Sequence, residues 1–108
     1  MPADHDFHSS WSKTSEYLRE ARVHLSETAE RVCADGIAEF EEFLNHNEFE
    51  LALDAIEASF RKGDHANWRV LEYMAMAALS MELVDHQRTY DQWLTKARGW
   101  NYRTVLPR

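Results

Sequence analysis

The chain has 108 residues, of which 44% are hydrophobic and 12% aromatic, and its net charge is −7. This length fits one domain, and the apolar content excludes an intrinsically disordered chain. The single cysteine, Cys33, excludes an intramolecular disulfide. Together with a start that lacks a signal-peptide pattern, it predicts a protein of the reducing cytoplasm.

The interior of the chain contains no proline, because Pro2 and Pro107 lie at its two ends. Nothing there removes an internal N–H or forces a kink, and apolar residues recur at helical steps with no strand-like alternation. The sequence therefore predicts an all-α fold, a compact bundle of four to five helices. Residues 1–10 are expected to form a flexible N-terminus, and residues 11–108 a single helical domain.

The first apolar stripe follows steps of three and four residues, which places its members on one helix face. It consists of Leu18, Ala21, Leu25, Ala29 and Val32. A break near Ser26 is predicted, because serine is a good N-cap and Glu27 suits the first turn of a helix.

A second stripe, Ile37, Phe40 and Leu44, follows Gly36, which either ends the first helix or lies inside the next. Residues 45–47 are typical of a turn, with Asn47 as N-cap and Glu50 as its capping-box partner. The helix beyond this turn ends at Gly63 and is expected to bury Phe49, Ala52, Leu53, Ile56 and Phe60.

Asp64 is predicted to cap a helix that runs from about His65 to Leu83 and is apolar on two sides, which is typical of a central helix with neighbours on both faces. A last helix is expected to begin with Asp85 as its cap and to be closed by Gly99. Its predicted buried face is Tyr90, Trp93, Leu94 and Ala97. The tail is too apolar to be free and is expected to pack back on the bundle through Trp100, Tyr102, Val105 and Leu106.

Acidic residues are concentrated between Asp35 and Glu57, where the chain has eight acids and neither lysine nor arginine. We call this set the acidic block: Asp35, Glu39, Glu41, Glu42, Glu48, Glu50, Asp54 and Glu57. A solvated helix face is one interpretation, but such faces usually mix signs. One-sign charge disfavours nucleic acid and favours a basic partner protein. The predicted partner-binding residues are Glu39, Glu42, Glu48, Glu50, Asp54 and Glu57, with Trp100 as a possible aromatic anchor.

Catalytic and metal-binding patterns are weak. The pairs Glu42–His46 and Glu82–His86 have i,i+4 spacing, whereas di-iron helical bundles use Glu-x-x-His at i,i+3 with further glutamates. Neither a Gly-x-Ser-x-Gly nucleophile elbow nor a phosphate-binding glycine loop is present. We therefore expect no enzymatic activity, no cofactor and no metal.

The segment Phe43–Asp54 reads F-L-N-H-N-E-F-E-L-A-L-D. It resembles the F-L-x-H-N-E-x-x-L-A-L-(D/E) segment of small helical immunity proteins from bacterial toxin–immunity systems, including the MafI-like group. The family's following helix, with tryptophan, spaced alanines and a Met-x-Leu end, is similar to the stretch from Trp68 to Leu83. The resemblance spans roughly residues 37–83. It implies an all-helical protein that sequesters a toxin domain in the cytoplasm of the cell that makes it.

The leading functional hypothesis is therefore an immunity protein that neutralises a cognate toxin domain, with a nuclease as the toxin class that the acids fit best. The alternative is a helical adaptor of tetratricopeptide-like type, which Trp68, Leu71 and the spaced alanines support. That repeat has a period of ~34 residues, which the sequence does not show twice. A small metal-dependent helical enzyme is a third, disfavoured interpretation.

Overall fold

Helices form the regular secondary structure throughout residues 2–63 and 67–106, the part of the chain that the computed structural model describes, with side chains described from Trp11 onward. Within these ranges six helices occur and no strand. They are α1 (Pro2–Val23), α2 (Glu27–Val32), α3 (Ala34–Asn45), α4 (Phe49–Gly63), α5 (Trp68–Ser80) and α6 (Val84–Arg98). The predicted all-α bundle is confirmed, with more helices than the expected four to five, because a break separates the short α2 from α1.

Helix α1 begins at Pro2, so its backbone includes most of the ten residues assigned above to a flexible N-terminus. The side chains of that segment lie outside the described residues, and its flexibility stays a prediction. From Trp11 onward, α1 places Thr14, Leu18 and Ala21 in the interior.

The break between α1 and α2 lies where serine predicts it. Ser26 has extended backbone angles, and its side chain accepts a hydrogen bond from the Ala29 N–H at 3.1 Å. The apolar stripe continues across the break as far as Ala29, but Val32 is 63% exposed, so its predicted burial is wrong. Helix α2 has only six residues and turns the chain, so that Cys33 is buried instead and its thiol lies 3.7 Å from the Ser59 carbonyl oxygen.

Helix α5 is the centre of the bundle, as its two apolar faces predict. It packs extensively against α1 on one side and α6 on the other, and Ala75, Ala77 and Ala78 are fully buried. The Thr14 and Ser80 hydroxyls are 2.7 Å apart, and the His24 ring stacks on Tyr73. These contacts make α1 antiparallel to α5, and the small alanines let the neighbouring helices approach closely.

The helical hairpins α3–α4 and α5–α6 share the same turn. Asn47 and Glu82 adopt the left-handed conformation, with φ angles of 58° and 61°. In each turn the next residue donates its N–H to the carbonyl oxygen five residues earlier, at 2.9 Å, which is the Schellman motif of a helix C-terminus. In both hairpins the left-handed residue therefore belongs to the C-terminal end of the first helix and does not cap the second helix.

The predicted capping box of Asn47 and Glu50 is consequently wrong. Asn47 belongs to the end of α3, and the Glu48 carbonyl oxygen accepts the first α4 bond from the Ala52 N–H at 2.9 Å. Asparagine tolerates positive φ better than most residues, so the same residue type suits either role. The local sequence therefore did not distinguish an asparagine that ends one helix from an asparagine that caps the next.

Helix α5 begins at Trp68, and its N-cap is Asn67, whose side chain accepts a hydrogen bond from the Val70 N–H at 3.4 Å. The predicted cap Asp64 and the predicted first residue His65 lie outside the described residues. The Asn67 amide also donates to the His24 carbonyl oxygen at 2.8 Å, which ties the start of α5 to the end of α1.

Helix α6 starts at Val84, so Asp85 lies in its first turn and is not its cap. Gly99 closes the helix as predicted, with a φ of 82° that favours glycine. The buried face differs in part from the prediction, because Trp93 is half-buried and Ala97 is exposed. The buried residues of α6 are Gln87, Tyr90, Asp91 and Leu94.

Residues 100–106, which we call the C-terminal strap, have no regular secondary structure and run over α5 and α6. The Tyr102 N–H donates to Thr95 Oγ1 at 3.0 Å, and the Thr104 N–H donates to the buried Asp91 carboxylate at 2.9 Å. Tyr102 and Leu106 pack against the core. The predicted return of the tail onto the bundle is thus confirmed for these two residues, while Trp100 and Val105 remain exposed.

Gly36 lies inside α3, and Gly63 is the last residue of α4, where that helix packs against Ala29 of α2. A β-carbon at Gly63 would lie 2.6 Å from Ala29 Cα and 2.8 Å from Ala29 Cβ. Glycine is needed at this position for close helix packing and not for an unusual φ angle.

Replacing Gly63 by alanine is therefore expected to lower the free energy of unfolding by about 1–3 kcal/mol, because the added methyl group displaces helix α2. Urea denaturation measures this change. Gly36→Ala is the matched control: its β-carbon would meet only the rotatable Ser59 hydroxyl, at 3.1 Å, and alanine favours the helix interior. Equal losses for the two variants would contradict the close packing of α2 on α4.

Helix α5 is also the most apolar helix, yet it has only 13 residues, fewer than the ~20 that cross a bilayer. Among the described residues, none of the helices combines the length and the apolarity that a membrane span requires.

Candidate partner-binding surface

The acidic block lies on the α3–α4 hairpin, where helix geometry orders most of it into two stripes. Positions i, i+4 and i+7 share a helix face. On α3 this spacing gives the stripe Asp35, Glu39 and Glu42. On α4 it gives the stripe Glu50, Asp54 and Glu57. Each helix turns its apolar stripe to the core. The α3 stripe is exposed, whereas the α4 stripe runs from the exposed Glu50 to Glu57, which lies beside α6.

Most of these carboxylates have no internal partner. Six of them are exposed, and within the described part of the chain they form neither an ion pair nor a hydrogen bond: Asp35, Glu39, Glu41, Glu42, Glu48 and Glu50. Among the described residues, no cationic side chain balances these charges. This predicts a negative potential over the hairpin that a cationic surface can neutralise.

The other two predicted contact residues on α4 have partners on a neighbouring helix. An Asp54 carboxylate oxygen lies 3.8 Å from His86 Nε2. The Glu57 carboxylate accepts a hydrogen bond from the Tyr90 hydroxyl at 2.6 Å and lies 3.9 Å from the Arg61 guanidinium. Glu57, whose side chain is only 24% exposed, thus has an intramolecular role that the sequence did not indicate.

Burial and neighbouring charge shift the proton affinities at this contact between α4 and α6. Burial raises the pKa of the Asp54 carboxyl, His86 counteracts this, and Glu57 and Glu50 raise it further. The pKa of Tyr90 is raised by burial and then by its hydrogen bond to Glu57, so this tyrosine remains a donor. Asp54 is therefore easier to protonate than an ordinary aspartate, and its negative charge is the more easily lost as the pH falls.

A groove of about 420 Å³ lies beside the α3 stripe, between α3 and α4. Asp35 and Glu39 line it from α3, Ala58 and Lys62 from α4, and Arg31 from α2. The groove thus places two basic side chains beside two acidic ones, and its lining favours neither a cation nor an anion.

Trp100 belongs to a different cluster, beyond the end of α6. The Arg98 guanidinium carbon lies 3.8 Å from the Trp68 ring centroid and 4.5 Å from that of Trp100. Arg98 is also paired with Glu72 at 3.6 Å. The Trp100 ring is therefore held in place on one face by a cation–π contact while 55% of the residue stays exposed. The predicted acids thus form one stripe on α3 and another on α4 that lies beside α6, whereas Trp100 is part of this separate cluster.

The partners of the acids were the part of this surface that sequence analysis missed. His86 and Tyr90 of α6 contact carboxylates of α4, and in the separate cluster Arg98 contacts Glu72 of α5, so no i,i+4 spacing predicts these pairs. The histidines of the two i,i+4 pairs considered as metal ligands have other contacts in the structure. His46 Nδ1 lies 2.8 Å from the backbone oxygen of Glu42, and His86 faces Asp54. Among the described residues, no group of three or more His, Cys, Asp or Glu side chains is placed to hold a metal ion.

The fold and this surface define the class of the protein as an all-α helical bundle with an acidic helical hairpin. No family model matches the chain, and no curated protein or solved structure shows significant similarity to it. Two features point to a function: the resemblance of residues 37–83 to helical immunity proteins, and the free carboxylates that the described part of the hairpin presents.

Proposed function

We propose that this protein is an immunity protein that binds and neutralises a cognate bacterial toxin domain through the acidic α3–α4 hairpin. The observation that supports this most is the set of six exposed carboxylates that have no partner within residues 11–63 and 67–106, which a purely structural helix face does not need. Unpaired charge of one sign attracts an oppositely charged partner over long range and speeds its association. The protein acts in the cytoplasm of the toxin-producing cell.

A toxin that cleaves nucleic acid is the class of partner that suits the hairpin best. Such an enzyme has a basic cleft, and carboxylates on two neighbouring helices can occupy it in place of phosphates. Neutralisation is then competitive with nucleic acid. The protein acts by occupying the cleft and performs no chemistry of its own, so neither a cofactor nor a metal is required.

Reversing three free acids, in the variant Glu39→Lys, Glu42→Lys and Glu50→Lys, is expected to slow association about tenfold or more at low salt, because electrostatic steering is lost. The dissociation rate should change less. The binding partner in this test is the toxin domain that the proposal expects a neighbouring gene to encode, and stopped-flow mixing measures the rate. Association of the wild-type protein should itself slow as salt rises, since screening acts over ~8–10 Å.

The matched control reverses three exposed acids outside the hairpin: Glu16→Lys, Glu20→Lys and Glu27→Lys. It produces the same change in net charge, and Glu27 in the first turn of α2 matches Glu50 in the first turn of α4. If both variants slow association equally, net charge and not the hairpin governs binding. If the hairpin variant protects cells like the wild type, the acidic surface is not the interface.

A tetratricopeptide-like adaptor is the second candidate, and one observation favours it. The shared turns of α3–α4 and α5–α6, at Asn47 and Glu82, lie about one such repeat period (~34 residues) apart. Helices α4 and α6 run side by side, with Phe60 stacked on Trp93 and Tyr90 bonded to Glu57. An adaptor would bind a peptide with similar affinity in the hairpin variant and in the wild type, which separates the two candidates.

A further inference from the structure

Residues 102–106 of the C-terminal strap alternate in exposure, and Tyr102 and Thr104 in hydrogen bonding, as a single extended segment does. Tyr102, Thr104 and Leu106 turn inward, while Arg103 and Val105 are exposed. The N–H groups of Tyr102 and Thr104 both donate to α6, to Thr95 and Asp91. Because N–H and C=O groups of an extended chain alternate in direction, those of the intervening residues point away from α6.

That second edge of the strap is unpaired. Within the described part of the chain, the backbone N–H and C=O groups of Arg103 and Val105 form no hydrogen bond. Val105 is also the most exposed large hydrophobic residue among those described, at 73%. An exposed strand edge of this kind is a template for pairing with another extended chain.

A groove of about 330 Å³ lies along this part of the strap, between it and α5. Tyr73 and Met76 line the groove from the helix, and Val105 lines it from the strap. Glu72 is the acid of this groove, and it is already paired with Arg98. The exposed guanidinium of Arg103 has no ion-pair partner among the described residues. The groove therefore combines an apolar lining, one free cation and an open backbone edge.

We propose that this edge binds an extended segment of a partner protein by strand addition. The partner's backbone pairs with the N–H and C=O groups of Arg103 and Val105, and its intervening side chain enters the groove against Tyr73 and Met76. Cross-strand pairing then sets the composition of the segment. It carries a carboxylate opposite Arg103 and an aliphatic or β-branched residue opposite Val105.

The backbone groups along this edge determine which class of molecule can bind there. Only an extended polypeptide can lie ~4.8 Å from the strap and offer N–H and C=O groups to it along its length, because a helix keeps these groups for itself. The acidic hairpin attracts cations, whereas the free charge here is Arg103, so an acidic-aliphatic segment is distinct from the basic surface proposed for the hairpin. This second site does not depend on the proposed immunity function.

The test titrates the full-length protein with a synthetic peptide of about seven residues that alternates glutamate and valine. Nuclear magnetic resonance should place the shift changes at Tyr73, Met76 and residues 103–105. Hydrogen exchange of the Arg103 and Val105 amides should slow about tenfold at saturation, since each gains a hydrogen bond worth about 1–1.5 kcal/mol.

Val105→Pro removes one pairing N–H without removing any hydrogen bond of the free protein, and proline suits an extended edge. It should weaken peptide binding about tenfold, whereas Val105→Ala, which keeps the N–H, should weaken it about threefold or less. Protected Tyr102 and Thr104 amides in both variants would show that the strap remains bound. The proposal is overturned if Val105→Pro binds like the wild type, if a peptide with methylated backbone amides binds equally well, or if the unmodified peptide does not bind.

Discussion

Leu53→Ala is expected to lower the free energy of unfolding by about 2–5 kcal/mol. Leu53 lies in the middle of α4 with 0% exposure, surrounded by the core cluster that joins α1, α3, α4 and α5. The substitution removes buried methyl groups and leaves a cavity that the packed helices fill only in part. Urea and thermal denaturation, followed by circular dichroism, measure the loss.

The matched control is Leu51→Ala, the same substitution two residues earlier on the same helix. Leu51 is 44% exposed, so its truncation should cost less than about 1 kcal/mol. Comparison of the two removes the contribution of helix propensity, which is common to both. Similar losses at both positions would mean that α4 presents a different face to the core.

Asp91→Ala is the second substitution with a large expected effect, about 3 kcal/mol. The Asp91 carboxylate is 6% exposed and accepts hydrogen bonds from the Thr104 N–H at 2.9 Å, from the Thr104 hydroxyl and from the Gln87 amide. Hydrogen bonds to charged groups contribute about 1.5–3 kcal/mol each, and exposure of the released strap to water offsets part of the loss. Denaturation measures stability, and amide exchange at Tyr102 and Thr104 reports release of the strap.

Gln92→Ala is the control for this substitution, because Gln92 follows Asp91 on α6 and is exposed. Its truncation should change stability by less than about 0.5 kcal/mol. Thr104→Val, which removes only the hydroxyl donor, should fall between the two. If Asp91→Ala unfolds like the wild type and the Thr104 amide keeps its protection, Asp91 does not anchor the strap.

The two proposed surfaces differ in their physical basis and therefore in their expected salt dependence. Binding at the acidic hairpin depends on long-range charge, so added salt should slow it. Binding at the strap edge depends mainly on backbone hydrogen bonds and apolar contact, so salt should affect it less. Measured salt dependence thus indicates which surface a given partner uses.

Local sequence was sufficient for the features that near neighbours determine. The stripe of Ile37, Phe40 and Leu44 is buried as its spacing predicts. Ser26 caps α2, and Gly99 closes α6. The two apolar faces of α5 also predicted its central place, since a helix buried on both sides needs two neighbours. In each case the signal lies within a few turns of one helix.

Tertiary structure decided the features that depend on contacts between distant segments. Asn47 ends α3 instead of capping α4, since the direction of the next helix selects between two roles of asparagine. Glu57 bonds to Tyr90, and Asp91 is buried beneath Thr104. Helical periodicity identifies a helix's apolar face but not which polar side chains a neighbouring element covers. The sequence thus determined the helices and the acidic character of the hairpin. Packing between helices and strap decided which acids remain free and which backbone edge stays open.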